Sequence, residues 1–130
     1  MDSEELCFMP DNRPKDYKEL IVWKRAMELV VEAYGIARKL PKEENYVLAD
    51  QIRRSAVSIP SNIAEGYGRG SPKDYARFLA IARGSRYELE TQLILCVDLG
   101  YVTKNEISKA ICLGQEVSKI LNVIIGKVLS

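Results

Sequence analysis

The sequence predicts an all-α fold, an antiparallel up-down-up-down bundle of four helices. Three observations carry this expectation. Apolar residues recur at three- and four-residue steps along four segments, the spacing of one helix face, and no stretch alternates long enough to argue for a strand. Helix-start signals stand at Ser71-Pro72 and at Thr103-Lys104-Asn105-Glu106, and a stop signal at Gly100. The segments are of similar length, about 24–29 residues or roughly 36–44 Å as helices, and short connections then place each helix antiparallel to the next.

Residues 1–15 are polar, hold Pro10 and Pro14 and show no period, so they read as a mobile N-terminal tail; residues 16–130 read as one four-helix domain. The first helix is expected over Asp16–Leu40. Leu20, Trp23, Met27, Val30, Tyr34 and Ala37 form one apolar stripe, and Val22, Ala26, Leu29, Ala33, Ile36 and Leu40 form a second, about 100° around. An internal core needs one stripe. Two leave apolar surface to spare, and the stripe centred on Trp23, Met27 and Val30 is either a subunit interface or the back of a helix buried deeply by its own bundle.

Pro41 interrupts the pattern and suits the first turn of a second helix over Lys42–Tyr67, with Glu43 and Glu44 at the positive end of its dipole. Its stripe is Leu48, Ile52, Ala56, Ile59, Ile63 and Tyr67. Pro60 lies inside it and costs about 3 kcal/mol in a regular helix. A bend within a turn of Pro60 is therefore expected, with Ser58 or Asn62 hydrogen-bonding near the break. The bend either steers the helix end toward a neighbour or shapes a mouth lined by Asn62, Glu65 and Arg69. The third helix starts at Ser71 and runs to Gly100, with Tyr75, Phe78, Leu79, Ala82, Leu89, Leu93 and Cys96 inward. The fourth starts with a capping box at Thr103 and carries Ile107, Ile111, Gly114, Val117, Leu121, Ile124 and Val128.

Composition excludes more chemistry than it offers. Hydrophobic residues are 47% and charged residues 28%, as in a folded soluble chain. There is no histidine, which removes the commonest general base and metal ligand, the Ser-His triads and the Glu-x-x-His pairs of di-iron bundles. No motif suggests a Ser–Lys nucleophile. Cys7, Cys96 and Cys112 are an odd set without ligand spacing, which fits a reducing cytoplasm, with Cys96 as a small core residue. Gly66-x-Gly68-x-Gly70 follows a helix rather than a strand and reads as a flexible helix–helix turn, not a nucleotide loop. The acidic N-terminus is not a signal peptide, and no apolar run reaches the roughly 18 residues of a membrane span. No cofactor, metal or membrane partner is expected.

The net charge of +1 predicts no polyanion partner by itself, but it is unevenly placed: residues 51–90 carry 7 basic and 4 acidic side chains. Arg53, Arg54, Arg69, Lys73, Arg77, Arg83 and Arg86 all fall on the second and third helices. They form either a solvated, salt-bridged face, in which Arg86 pairs with Glu90 one turn on, or an electropositive strip for a nucleic-acid backbone. Three functional readings follow: a homo-oligomeric accessory protein that contacts RNA, DNA or an RNA-processing partner protein, an oligomeric scaffold with no nucleic-acid ligand, and an enzyme using Glu65 and Arg54. The first is expected, and catalysis is not.

QIRRSAVSIPSNIAEGYGR at residues 51–69, followed by FLAIARGSRYELETQL at 78–93, resembles the small bundle proteins encoded in intervening sequences of bacterial 23S rRNA genes. KELIVWKRAMELVVEAY at 18–34 and LPKEENYVLADQIRR at 40–54 extend the resemblance, which covers about Tyr17–Tyr101. That family is in turn similar to the accessory variability protein of diversity-generating retroelements, which pairs with a reverse transcriptase. The resemblance implies a four-helix bundle assembled as a homopentameric ring, with nucleic-acid binding and no catalysis. The retroelement relatives are strongly basic, whereas this chain is near neutral.

Overall fold

The computed structural model describes residues 16–130; the tail expected over 1–15, with Cys7, lies outside the described residues. Four α-helices are present, and no strand occurs among the described residues. We label them α1 (Ile21–Ala37), α2 (Leu48–Tyr67), α3 (Pro72–Asp98) and α4 (Lys104–Leu129).

The first two helices are shorter than their apolar periods. Asp16 accepts the Lys18 amide at 3.0 Å and starts a separate 3-10 turn over Tyr17–Glu19. Leu20 then turns extended (ψ 127°) and drives its side chain into the core at 1% exposure, so α1 begins only at Ile21. Pro41 disfavours helical backbone at Leu40 and caps another short 3-10 turn, Lys42–Glu44, rather than entering the first turn of α2. Val47, at φ −119° and ψ −97°, separates that turn from α2. Glu44 bridges the gap: one carboxylate oxygen accepts the Leu48 amide at 3.4 Å and the other the Tyr101 hydroxyl at 2.7 Å. That hydrogen bond, with burial and the carboxylate charge behind it, raises the Tyr101 pKa.

The later termini follow the sequence closely. Ser71 Oγ accepts the Asp74 amide at 3.4 Å ahead of Pro72. Gly100, at φ +79°, ends α3: Tyr101 N donates to Cys96 O at 2.9 Å and Gly100 N to Val97 O at 3.0 Å, the paired bonds of a Schellman end. The capping box of α4 is complete, with Glu106 N on Thr103 Oγ1 at 3.2 Å and Thr103 N on Glu106 Oε1 at 2.9 Å.

Each helix packs on two neighbours, α1 on α2 and α4, and α3 on α2 and α4. Cross-helix pairs descend on one helix as they ascend on the other, which makes the neighbours antiparallel. Between α1 and α4 these are Arg25–Glu116 and Glu32–Lys109, continued just past the end of α1 by Lys39–Glu106. Between α2 and α3 they are Ser55–Gln92 and Ser58–Ser85, and between α3 and α4 Arg83–Asn122 and Arg86–Gly114. The core they enclose holds Leu29, Ile52, Ile59, Ile63, Leu79, Leu89, Leu93, Leu121 and Ile124. Cys96 belongs to it, and burial, with the Glu44 charge nearby, pushes its thiol up to about 11, leaving it inert.

α2 stays helical through Pro60. Pro60 has no N–H for the Ala56 carbonyl. The Asn62 amide donates to the Ser58 carbonyl at 2.7 Å and to the Ser58 hydroxyl at 2.9 Å, and that hydroxyl meets Ser85 on α3 at 2.8 Å. Ser58 and Asn62 thus hold the turn around Pro60 and tie it to α3.

Candidate functional site

Of the two stripes of α1, the one holding Val22, Ala26, Leu29, Ala33 and Ile36 is buried, while Trp23 and Val30 are half-buried and Met27 is 41% exposed. Among the described residues the bundle therefore covers Trp23 and Val30 only in part and leaves Met27 exposed. They form one wall of an open groove of about 360 Å³. Val57, Pro60, Ser61 and Ala64 of α2 form the other wall, and Tyr17 closes one end with its ring edge-on to Trp23 at 5.4 Å. Pro60 lines the groove with its apolar ring. Val57, Ser61 and Ala64 escape sequence reasoning. Their stripe lies beside the core stripe of α2 but is too short and too mixed to stand out alone.

The seven basic residues do not make one strip. Counting 100° per residue along α3, Arg83 and Arg86 lie about 120° and 180° around from Arg77. Arg86 is inside the bundle, a correction to its place on an exposed strip. Its Nε donates to the Gly114 carbonyl at 3.0 Å and its guanidinium pairs with Glu90, the helical partner expected from spacing. Gly114 lies against its stem, where a Cβ would be 3.4 Å from Arg86 Cγ and Cδ, about ordinary contact distance. Arg83 donates to Asn122 at 2.7 Å on α4. Arg53 donates to the Asn45 carbonyl at 2.8 Å, and Arg54 pairs with Asp50 at 2.8 Å, whose hydrogen bond and charge raise the Arg54 pKa.

Arg69, Lys73 and Arg77 do come together, at the corner between α2 and α3. The Arg69 and Arg77 guanidiniums lie 5.0 and 4.5 Å from the centroid of the Phe78 ring. Both also have carboxylate partners, Glu65 at 2.7 Å and Asp74 at 3.8 Å, whereas Lys73 is exposed with no ion pair among the described residues. This corner can present three cations to a phosphate backbone, two of them on a flat aromatic support.

The remaining candidates are occupied. Asn62 is taken by Ser58 and Glu65 by Arg69, and none of Asn62, Glu65 and Arg69 lines the groove. Glu65 and Arg54 are eleven positions apart on α2, about 16 Å along the axis, and cannot act on one atom. Among the described residues no group of three or more Cys, Asp or Glu side chains is placed to hold a metal ion, and no helix is long and apolar enough to cross a membrane.

A second apolar surface has a weaker signal in the sequence. Tyr87, Ile94 and Leu95 on the outer face of α3 are 54%, 45% and 43% exposed. The signal is the seven-residue spacing of Tyr87 and Ile94, with Thr91 between them.

The sequence profile of the 23S rRNA-intervening sequence protein family matches residues 18–123. The fold is similar to the crystal structure of a protein of unknown function from the S23 ribosomal protein family of Bacteroides thetaiotaomicron. That similarity has a TM-score of 0.75 at 28% identity, over 81% of this chain and 98% of that one. No curated protein matches the chain.

Proposed function

This chain belongs to the 23S rRNA-intervening sequence protein family, and from that premise we propose a non-enzymatic, cytoplasmic, homo-oligomeric accessory protein that contacts RNA at the corner of Arg69, Lys73 and Arg77. The observation that carries the reading is the half-covered stripe of Trp23, Met27 and Val30, which walls an open groove. Apolar surface of this kind on a small bundle is covered by a partner, and a second copy is always at hand. A closed ring, with five copies the number the family resemblance implies, repeats the basic corner once per subunit and adds the fields of otherwise modest clusters.

RNA binding at the corner is an exchange. Exposed ion pairs such as Arg69–Glu65 and Arg77–Asp74 contribute about 0–1 kcal/mol each, so trading their carboxylates for phosphates costs little. The gain comes from counterions released by the RNA, so affinity falls as salt rises. Binding of a labelled single-stranded RNA by anisotropy, from about 50 to 200 mM salt, tests this. Replacing Arg69 and Lys73 with alanine should lower the salt slope by roughly 1.4 units, about 0.7 for each single-strand phosphate contact, and weaken binding without changing sequence preference. Unchanged binding by the double variant would remove the corner.

A second reading is a homo-oligomeric interaction scaffold with no nucleic-acid ligand. It is favoured by the carboxylates already seated on Arg54, Arg69, Arg77 and Arg86. Wild-type protein that binds no RNA or DNA even at low salt would establish it over the first.

A further inference from the structure

We propose that the groove between α1 and α2 takes the outer face of α3 from a second copy of this chain, so that the subunits join head to tail. The inference rests on the self-association reading above and specifies its geometry. The two surfaces differ in shape and in sign. The groove is concave, walled by Trp23, Met27, Val30 and Val57. The α3 face is a ridge: Tyr87, Ile94 and Leu95 stand out from a helix whose opposite side, at Leu89 and Leu93, fills the core. Among the described residues, both are at most partly covered by the chain's own helices.

The charges at their margins are complementary. Glu88 and Asp98 flank the ridge, about 15 Å apart along α3; both are exposed and carry no ion pair among the described residues. Lys24, exposed and without an ion pair among the described residues, flanks the Trp23 end of the groove. Arg53, which donates to the backbone and side-chain oxygens of Asn45 rather than to a carboxylate, flanks the Val57 end. Two acids on the ridge thus meet two bases on the groove.

Symmetry allows the same pairing. A two-fold dimer that joins groove to groove leaves the ridge of both copies bare, and one that covers both surfaces must seat each groove on the other copy's ridge, the same contact made twice. A heterologous joint uses one of each surface per subunit, and repeating it covers both on every copy when the ring closes.

Two exposed positions separate the possibilities. Val57→Glu puts an acid in the groove, and Ile94→Lys puts a base on the ridge; Tyr87→Lys is a second ridge variant. Neither side is core, so circular dichroism should show all three helical. At micromolar concentration, light scattering should give an oligomer for the wild type and a monomer for each variant. An equal mixture of Val57→Glu and Ile94→Lys should give particles of two copies, because the intact groove of one takes the intact ridge of the other. Ridge variants that keep the wild-type mass would overturn this pairing while leaving self-association standing. Monomeric variants that do not associate on mixing would overturn it in the same way. A monomeric wild type would overturn both.

Discussion

Gly66 is where two helices come closest to colliding. A Cβ built on it would lie 2.7 Å from Phe78 Cβ, 3.2 Å from Tyr75 Cδ1 and 3.3 Å from the Tyr75 carbonyl. The first of these atoms is fixed to the α3 backbone and cannot swing away. Alanine in place of glycine gains about 1 kcal/mol of helix propensity, but overpacking of a tight site costs about 1–3 kcal/mol, and here the clash should win. Gly66→Ala is expected to lower the urea midpoint; a midpoint equal to or above wild type would reject the close-approach argument. From the sequence, Gly66, Gly68 and Gly70 read as one flexible turn. The structure divides their work: Gly66 is a packing residue inside α2, and only Gly70, at φ +77°, needs glycine for its backbone. Arg86 is legible in the same partial way. Its spacing to Glu90 is local and readable, but the Gly114 carbonyl that buries it lies 28 residues away. No local pattern announces such a partner.

At the scale of elements, the helix ends legible in the sequence are those whose signal is local. The Thr103 box and the Gly100 stop each depend on residues within a few positions. Periodicity alone starts α1 and α2 too early, because Leu20 turns extended to bury its side chain and Val47 leaves the helical path, neither of which it encodes. The α4 start also carries a pH signal. The Glu106 carboxyl is held down to about 2 from an ordinary 4.5, first by the hydrogen bond from Lys39 and then by the Thr103 backbone. The folded value is below the unfolded one, so the unfolded chain takes up the proton first as acid is added. The contribution is therefore full above about pH 4.5 and is lost as pH falls toward about 2. Lys39→Met removes the largest cause. Urea midpoints of wild type and variant should differ near neutral pH and converge across that window; a gap that stays constant down to pH about 2 would show that the pair contributes nothing.

For the whole molecule, four helices are legible because each carries its own apolar period, and their antiparallel order follows from short connections. The surfaces are legible only in half. The double stripe of α1 announces the groove through Trp23, Met27 and Val30, but its other wall and the facing ridge belong to α2 and α3, and only folding places them. Whether copies of the chain cover those surfaces has a thermodynamic consequence that needs no knowledge of ring number. An oligomer that dissociates on unfolding is stabilised by mass action, each tenfold in concentration being worth about 1.4 kcal/mol at most per chain. For a chain of this size that shifts the midpoint by roughly 3–5 °C per decade. Thermal unfolding of the wild type should therefore move down by roughly 5–10 °C on hundredfold dilution. Val57→Glu, which disables the groove without touching the core, should melt at one temperature at every concentration. A wild-type midpoint that ignores dilution would mean that the folded bundle carries its apolar groove bare.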